Sequence, residues 1–439
     1  MKTASLADKS RLRMLLAIAL LMLAASAAPA AESSIAPGTI ITPANWRQYE
    51  AFMPEGFKEL FSGRFVWKFP AAFKIVVGPA HHYPLPKVYL HNTEQHSRNV
   101  KIVTLPDGRH TLSGYVAGMP FPHPTPPDQG YKLLTDLWYA YNPYIVCDRH
   151  FSLYTEDRFG NVKLEKALAV YRGLSGVSAS DQPITLPNAG GVRYAEYVQV
   201  LMPEESKYLT NLTIQYTDEL KPQDLFIFIP ALRRTLRLST AARCAPFVGT
   251  DYTQDDVSQG GFNGGIALFN ANYLGARQIL ALTQSDPRVY GNLNSYYPGL
   301  LWPRPAVGKW EVRTSNVIDI RRIPSWRKGY CYGKRICYLD SESFIPLWQD
   351  LYDANMKLWK VNFFAQIAGP VPPDGITLWN GSFITGIYDL QNGHLTLNMT
   401  ADASGGHNLA GDDCRNDEGT DYTDIGRYSS VSALSQIMR

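Results

Sequence analysis

From Phe65 onward the chain is a succession of short runs in which apolar and polar residues alternate, broken at close intervals by Gly, Pro, Asn and Asp. A period of two is the side-chain spacing of a strand, and breaks at this frequency read as an antiparallel sheet. The clearest hairpin is IYDLQ-Asn392-Gly393-HLTLNM, because Asn-Gly is the favoured pair for a tight turn between strands. Pairing Gln391 with His394 would put Tyr388, Leu390, Leu395, Leu397 and Met399 on one apolar face. A second hairpin is expected at Gly160-Asn161. A third runs from FIPLWQDLYD through Ala354-Asn355 to KLWKVNFFAQI, and NLTIQY reads as a further strand. The expected fold is mainly β, as one continuous domain with no repeats and no long linker.

Composition agrees. The chain holds 26 Tyr, 18 Phe and 9 Trp, and charged residues are 18% of it, against about 25% in average proteins. Large cross-strand side chains favour sheets over helical bundles. Helices are expected only near the ends: WRQYEAF behind Asn45, EGFKELF opened by Pro54-Glu55, and a short one near SSVSALSQIMR.

The first residues predict a compartment. Lys2, Lys9, Arg11 and Arg13 are a basic stretch before the apolar run Met14–Leu23, and Ala28-Pro29-Ala30 is an A-x-A cleavage site, with Pro29-Ala30-Ala31 beside it. The run is shorter than the roughly 20 residues a spanning helix needs. The expected division is a signal peptide over 1–31, a single β-rich domain over 32–400, and a Gly/Asp-rich segment over 401–439, loosely packed as far as about Thr420. The mature chain is expected to be soluble in the periplasm. Of 42 basic and 39 acidic residues, the leader carries four and one, which leaves 38 of each. A neutral chain lacks the field that draws nucleic acid, so none is expected as a partner.

Five cysteines enter an oxidising compartment: Cys147, Cys244, Cys331, Cys337 and Cys414. In YCYGKRICY a three-residue loop Gly333-Lys334-Arg335 would set Cys331 opposite Cys337, within disulfide reach. The pairing of the other three stays open. In DLFIFIPALRRTLRLS, Leu225–Ile229 is apolar on both faces, whereas Arg234 shares a face with Leu232, Leu236 and Leu238. That arginine either pairs with an acid such as Asp251, Asp255 or Asp256, or meets the polar head of a ligand.

Catalytic signatures are missing from the sequence. The nine histidines show no metal-ligand spacing, and His81-His82 would point to opposite faces of a strand. Gly173-Leu174-Ser175-Gly176 is followed by Val177 where a nucleophile elbow needs Gly. Gly260-Gly261-Phe262-Asn263-Gly264-Gly265 fits neither a dinucleotide fingerprint nor a P-loop and reads as a flexible loop. No catalytic residue, metal or cofactor is expected.

Five segments in order resemble one family: FKIVVGPAHHYPLPKVY (73–89), GYVAGMPFPHP (114–124), IPALRRTLRLS (229–239), FVGTDYTQDD (247–256) and YLDSESFIPLWQDLYDANMKLWKV (338–361). This is the proteobacterial periplasmic family of domain of unknown function 1329, whose members are similar to outer-membrane lipoprotein-sorting (Lol-type) carriers. The resemblance covers roughly residues 45–400. It implies a large curved antiparallel sheet forming an unclosed, half-open barrel, with a few helices as plug or lid. It implies a carrier of a hydrophobic molecule (lipid, sterol- or terpenoid-like) that works with a resistance-nodulation-division-type permease of the inner membrane and an outer-membrane companion. An arginine inside such a barrel holds the lid, and Arg234 is the nearest candidate. The residues expected to face the cargo are Phe226, Phe228, Trp348, Tyr352, Trp359 and Tyr388. The alternatives are a structural adaptor with a filled core and, last, a periplasmic lipid or ester hydrolase. The cysteines and the acidic, Gly-rich C-terminal segment depart from the family pattern.

Overall fold

The structure, a computed structural model, describes residues 34–438 except 68, 240–242, 258–259, 287–288, 290, 367–368, 372–374, 379–382 and 402–408. The leader expected over 1–31 lies outside the described residues. Pro37–Arg439 forms one compact unit. Among the described residues no helix is long and apolar enough to cross a membrane.

One antiparallel sheet of fourteen strands dominates. In chain order the strands are β1 Ile145–Asp157, β2 Val162–Gly173, β3 Val192–Met202, β4 Thr210–Tyr216, β5 Asp224–Ile229, β6 Arg234–Arg237, β7 Phe269–Ser285, β8 Gly308–Arg322, β9 Lys334–Asp340, β10 Pro346–Tyr352, β11 Leu358–Gln366, β12 Phe383–Asp389, β13 His394–Met399 and β14 Leu409–Ala410. The spatial order is β6-β5-β4-β3-β2-β1-β13-β12-β11-β10-β9-β8-β7, with β14 beside the start of β1. Neighbours in sequence are neighbours in space within β1–β6 and within β7–β13; β13 returns to β1 and joins these two runs, while β6 and β7 end at opposite edges. The end strands β6 and β7 each have one partner, so the sheet does not close. The fold is the mainly β, unclosed sheet that the alternation and the resemblance led us to expect.

The expected hairpins form, with adjusted turns. Asp389 pairs with His394, so the β12–β13 turn spans four residues rather than Asn392-Gly393 alone. The Asp389 carboxylate accepts the amides of Gln391 and Asn392 and fixes that longer turn. Tyr388, Leu395, Leu397 and Met399 still share a face, because the shift in register is an even number of residues.

Three helices of eight or more residues accompany the sheet: α1 Glu55–Ser62, α2 Lys87–His96 and α3 Gln129–Trp138. The first was expected. Pro54 opens it, Gly63 closes it in the left-handed conformation, and Phe57, Leu60 and Phe61 line its buried side. The other two fall where the sequence was read as strand and turn. Tyr131, Leu134, Leu137 and Trp138 of α3 recur at helical spacing and join a core with Phe262, Ile266, Phe269 and Ile318.

Both faces of the sheet are covered. On β10 and β11, Trp348 and Phe363 face one way, into an aromatic core with Phe57, Trp302, Trp310 and Tyr388. All six are at most 3% exposed. Phe57 lies 4.6 Å from Trp348 and 5.3 Å from Trp302, ring centre to ring centre, and Trp302 lies 4.7 Å from Phe363. Rings at these spacings fill space as densely as a protein interior allows. The alternate residues Gln349, Asn362 and Phe364 face the other way, under a strap described in the next section.

The cysteine expectation is corrected. Cys147 pairs with Cys414, Cys244 pairs with Cys331, and Cys337 is a free, buried thiol. The residues Lys334–Asp340 run extended as β9 with no turn at Gly333–Arg335. Cys331 lies before the strand and is bonded to Cys244, whereas Cys337 sits inside β9 opposite Gln349 and Ile318. Within residues 409–438 four side chains are buried, Cys414, Tyr422, Tyr428 and Leu434. Cys414 is tied to β1, and Tyr422, Tyr428 and Leu434 join Val170, Tyr197 and Leu212 in a core on the first half of the sheet. A short helix, Val431–Leu434, ends the chain as expected and is capped by the Ser430 side chain.

Candidate ligand-binding site

The irregular chain between β6 and β7 lies across the face that carries Gln349, Asn362 and Phe364. Its described residues 243–257 and 260–268 form the strap, and Thr250–Asp256 within it is buried. A strap of polar residues can be buried only if its polar groups are met. Three acids meet cations of the strap or of the sheet. Asp256 pairs with Arg335 of β9 at 2.7 Å, and its other oxygen accepts from Tyr332 Oη, Thr253 Oγ1 and the Thr253 amide, each at 2.7 Å. Asp255 pairs with Arg243. Asp251 meets His394 Nδ1 at 2.7 Å and accepts from Thr396 Oγ1 at 2.7 Å, while its backbone oxygen accepts from Lys360 Nζ.

Arg335 is the centre of this latch. It is 1% exposed, donates to the Gly261 carbonyl at 3.2 Å, and lies 4.5 Å over the Tyr332 ring. Burial alone would raise the Asp256 carboxyl. Arg335, Lys360 and the hydrogen bonds from Tyr332 and Thr253 outweigh it, and hold that group below the ordinary carboxylate value. Burial and then the Asp256 charge push the Tyr332 phenol well above 10, so it stays a neutral donor. The hydrogen bond that His394 donates to Asp251 raises its imidazole above 6.5 against the opposing effect of burial. The Cys244–Cys331 disulfide ties the start of the strap to the chain just before β9.

The glycine-rich stretch is a close-packed part of the strap. A Cβ on Gly261 would meet Phe364 at 2.7 Å, and Gly261 has φ of +79°. A Cβ on Gly264 would meet the Phe269 ring at 2.6 Å. Close approach rather than flexibility is what these glycines supply.

Between strap and sheet lies a cavity of about 130 Å³ whose exposed wall is predominantly apolar. Its floor runs across the middle of the sheet, from Val198 of β3 and Ala169 of β2 through Phe151 and Leu153 of β1 to Phe364 of β11. Phe247, Tyr252 and Val257 of the strap roof it. Asp148, Glu196, Asn211 and Asn398 place polar groups at its margin. The Asn398 and Asn142 amide oxygens there are buried and have no protein partner.

None of the seven sequence-predicted ligand residues lines this cavity. Trp348 and Tyr388 belong to the aromatic core on the opposite face, and Tyr388 Oη donates to the Leu300 carbonyl at 2.9 Å. Phe226 and Phe228 pack with Leu212 toward the C-terminal segment. Tyr352 is half-buried with the Lys334 ammonium 4.1 Å from its ring. Trp359 packs on Tyr332 and donates to Asp389 at 3.0 Å. Arg234 is exposed on β6 opposite Ile229 and meets none of the three acids. The acids named for it do hold a lid-like segment, but the cations are Arg335, Arg243 and Lys360 with His394. The signal for Arg335 was present: an arginine in the otherwise apolar strand RICYL.

Residues 40–423 match the model of a family described as a protein of unknown function, DUF1329. The chain belongs to this family. No curated protein matches its sequence. Solved structures similar to this DUF1329 chain include a DUF1329 family protein from Desulfovibrio piger, 12% identical, covering 67% of this chain and 98% of that one with a TM-score of 0.45. A protein described as an outer membrane lipoprotein-sorting domain, from Vibrio parahaemolyticus, is 13% identical over 62% of this chain and 89% of its own, with a TM-score of 0.42. A LolA-superfamily protein from Nitrosomonas europaea is 12% identical over 61% and 90%, with a TM-score of 0.37.

Proposed function

We propose that this chain is a periplasmic binding protein that carries a hydrophobic molecule in the cavity beneath the strap. One observation carries the reading: an apolar-walled void of about 130 Å³ at the centre of a sheet whose other face is filled by rings. An unfilled cavity of that size costs roughly 3 kcal/mol at about 24 cal/mol per Å³. An engineered apolar cavity of about 150 Å³ stays dry and takes up benzene, so this one accepts a fragment of some six carbons as it stands. A longer lipid, sterol- or terpenoid-like molecule adds about 0.8 kcal/mol for each buried CH₂ and requires the strap to lift.

The latch suits such movement. Beside the buried Tyr252 and Phe262 rings, its links are hydrogen bonds and ion pairs, which can exchange for water when the strap rises. Carriage, rather than catalysis, is the role we assign, because the buried acids and cations of the site pair with one another. The permease and outer-membrane companion implied by the family resemblance would supply and receive the cargo.

Protein purified from its own periplasm should carry a lipophilic ligand visible by native mass spectrometry. Ala169→Phe, which adds a ring to the cavity floor, should leave the melting temperature within a few degrees and abolish uptake of a lipophilic dye. Dye uptake unchanged in that variant, or a wild-type chain that is always empty and takes no dye, would sink the proposal.

A further inference from the structure

A second hollow opens on the other side of the Gly260–Gly265 stretch, with a volume of about 410 Å³. It lies between the end of β8, the β4–β5 connection and the strap. Phe262, fully buried, sits in the stretch that separates it from the first cavity. Its polar wall is rich in donors that have nothing to donate to. Gln223 is 7% exposed, and neither atom of its amide has a partner. Asn263 is 1% exposed; its Oδ1 accepts from Tyr194 Oη at 3.1 Å, but its Nδ2 is buried and unmet.

Arg322, the last residue of β8, also faces this hollow. Its guanidinium lies 4.5 Å over Tyr330 and 5.3 Å over Phe269, and its Nε is buried without a partner. Among the described residues Arg322 has no ion-pair partner. Asp255, whose charge it feels, is held by Arg243. Glu219, the one acid of the wall, already accepts from Tyr139 Oη and Thr111 Oγ1.

A half-buried arginine whose Nε is buried without a partner is costly, and so is a buried amide without a partner. An arginine laid flat on a ring presents a planar fork, which matches the plane of a carboxylate. We propose that this hollow receives the carboxylate of an amphipathic carboxylic acid, whose hydrocarbon part runs past Phe262 into the strap cavity. The inference rests on the carrier reading and narrows its cargo to hydrophobic acids. Arg322 supplies the charged fork, and Gln223 and Asn263 supply neutral donors beside it.

The test compares three ligands with one sixteen-carbon chain, hexadecanoate, hexadecanol and hexadecyl phosphate, by dye displacement on the whole mature protein at pH 8. Hexadecanoate should bind at least about tenfold more tightly than the alcohol, the effect of one charge-assisted pair. Arg322→Gln should bring hexadecanoate down to the level of the alcohol and leave the alcohol within about twofold. Gln223→Leu, which leaves every charge in place, should weaken the acid about threefold and serves if Arg322→Gln does not fold. Equal binding of acid and alcohol in the wild type overturns the head site and leaves the carrier intact. Binding of the phosphate as tight as the acid overturns the carboxylate assignment. Failure of all three ligands to bind overturns the carrier reading and this inference with it.

Discussion

The two faces of β10 and β11 are built on opposite plans. On one face, Phe57, Trp302, Trp310, Trp348, Phe363 and Tyr388 fit by shape, with rings 4.6 to 6.2 Å apart and almost no exposed surface. On the other, a strap that mixes buried rings such as Tyr252 and Phe262 with polar residues is held in part by directional links, and a cavity remains beneath it. Shape locks a face against every displacement, whereas hydrogen bonds and ion pairs lock one arrangement and can be exchanged for water. The same strands thus present a rigid back and a releasable front.

The comparison breaks most severely at its rigid side. Trp302→Ala should cost about 3–5 kcal/mol in urea unfolding, the usual range for a large aromatic removed from a core, while amide exchange in the strap keeps its wild-type rate relative to global unfolding. A strap that loosens selectively would show that the faces are not independent. Arg335→Met attacks the other side. It leaves Asp256 buried without its cation and should cost about 3 kcal/mol, with faster amide exchange at Thr250–Asp256. Adding Asp256→Leu to that variant should restore much of the loss, because the stranded charge goes with it.

A smaller effect is expected at a buried acid on the aromatic side. Asp350 accepts the Gly56 amide at 3.1 Å at the start of α1, and burial pushes its carboxyl up to about 7. Its native value lies above its unfolded value, so its contribution is full below about pH 4 and is lost as pH rises through 7. Asp350→Asn keeps an acceptor for Gly56 and removes the charge. It should raise stability at pH 8 by on the order of 2 kcal/mol, and the gain should disappear in titrations taken to pH 4.

The smallest effect distinguishes the latch. His394 is raised above 6.5 by Asp251, so the protonated pair supports the strap below that pH, and the support is lost as pH rises through the raised value. Strap exchange should quicken as pH rises through that raised value, and His394→Gln should flatten this dependence without changing the exchange of α1.

What the sequence made legible follows from the same contrast. Period-two alternation located the hairpins around Gly160, Asn355 and Asn392 because it reports strand geometry directly. It could not say which face holds a cavity, since both faces of β10 and β11 are covered and both carry large rings. Trp348 and Tyr388 therefore looked as eligible as Phe364, although they lie on the ring-filled face and Phe364 lies on the cavity. Arg234 misled for a related reason: β6 is an edge strand, where sharing a face with leucines does not mean burial. The cysteine spacing around Lys334 suggested a hairpin because a local pattern was visible and the distant Cys244 was not. The helix α3 was hidden among turn-rich segments, although its apolar residues keep a helical period.

The strap is fastened at both ends, by Cys244 to the residue preceding Tyr332 and by the run of Phe269 into β7. A ribbon fixed at two points can bow but cannot swing away like a door. Passage of the proposed cargo would therefore be sideways, through a gap opened at mid-span whose width is capped by the slack in about two dozen residues. Long, slender molecules would thread such an opening far more readily than broad, rigid ones.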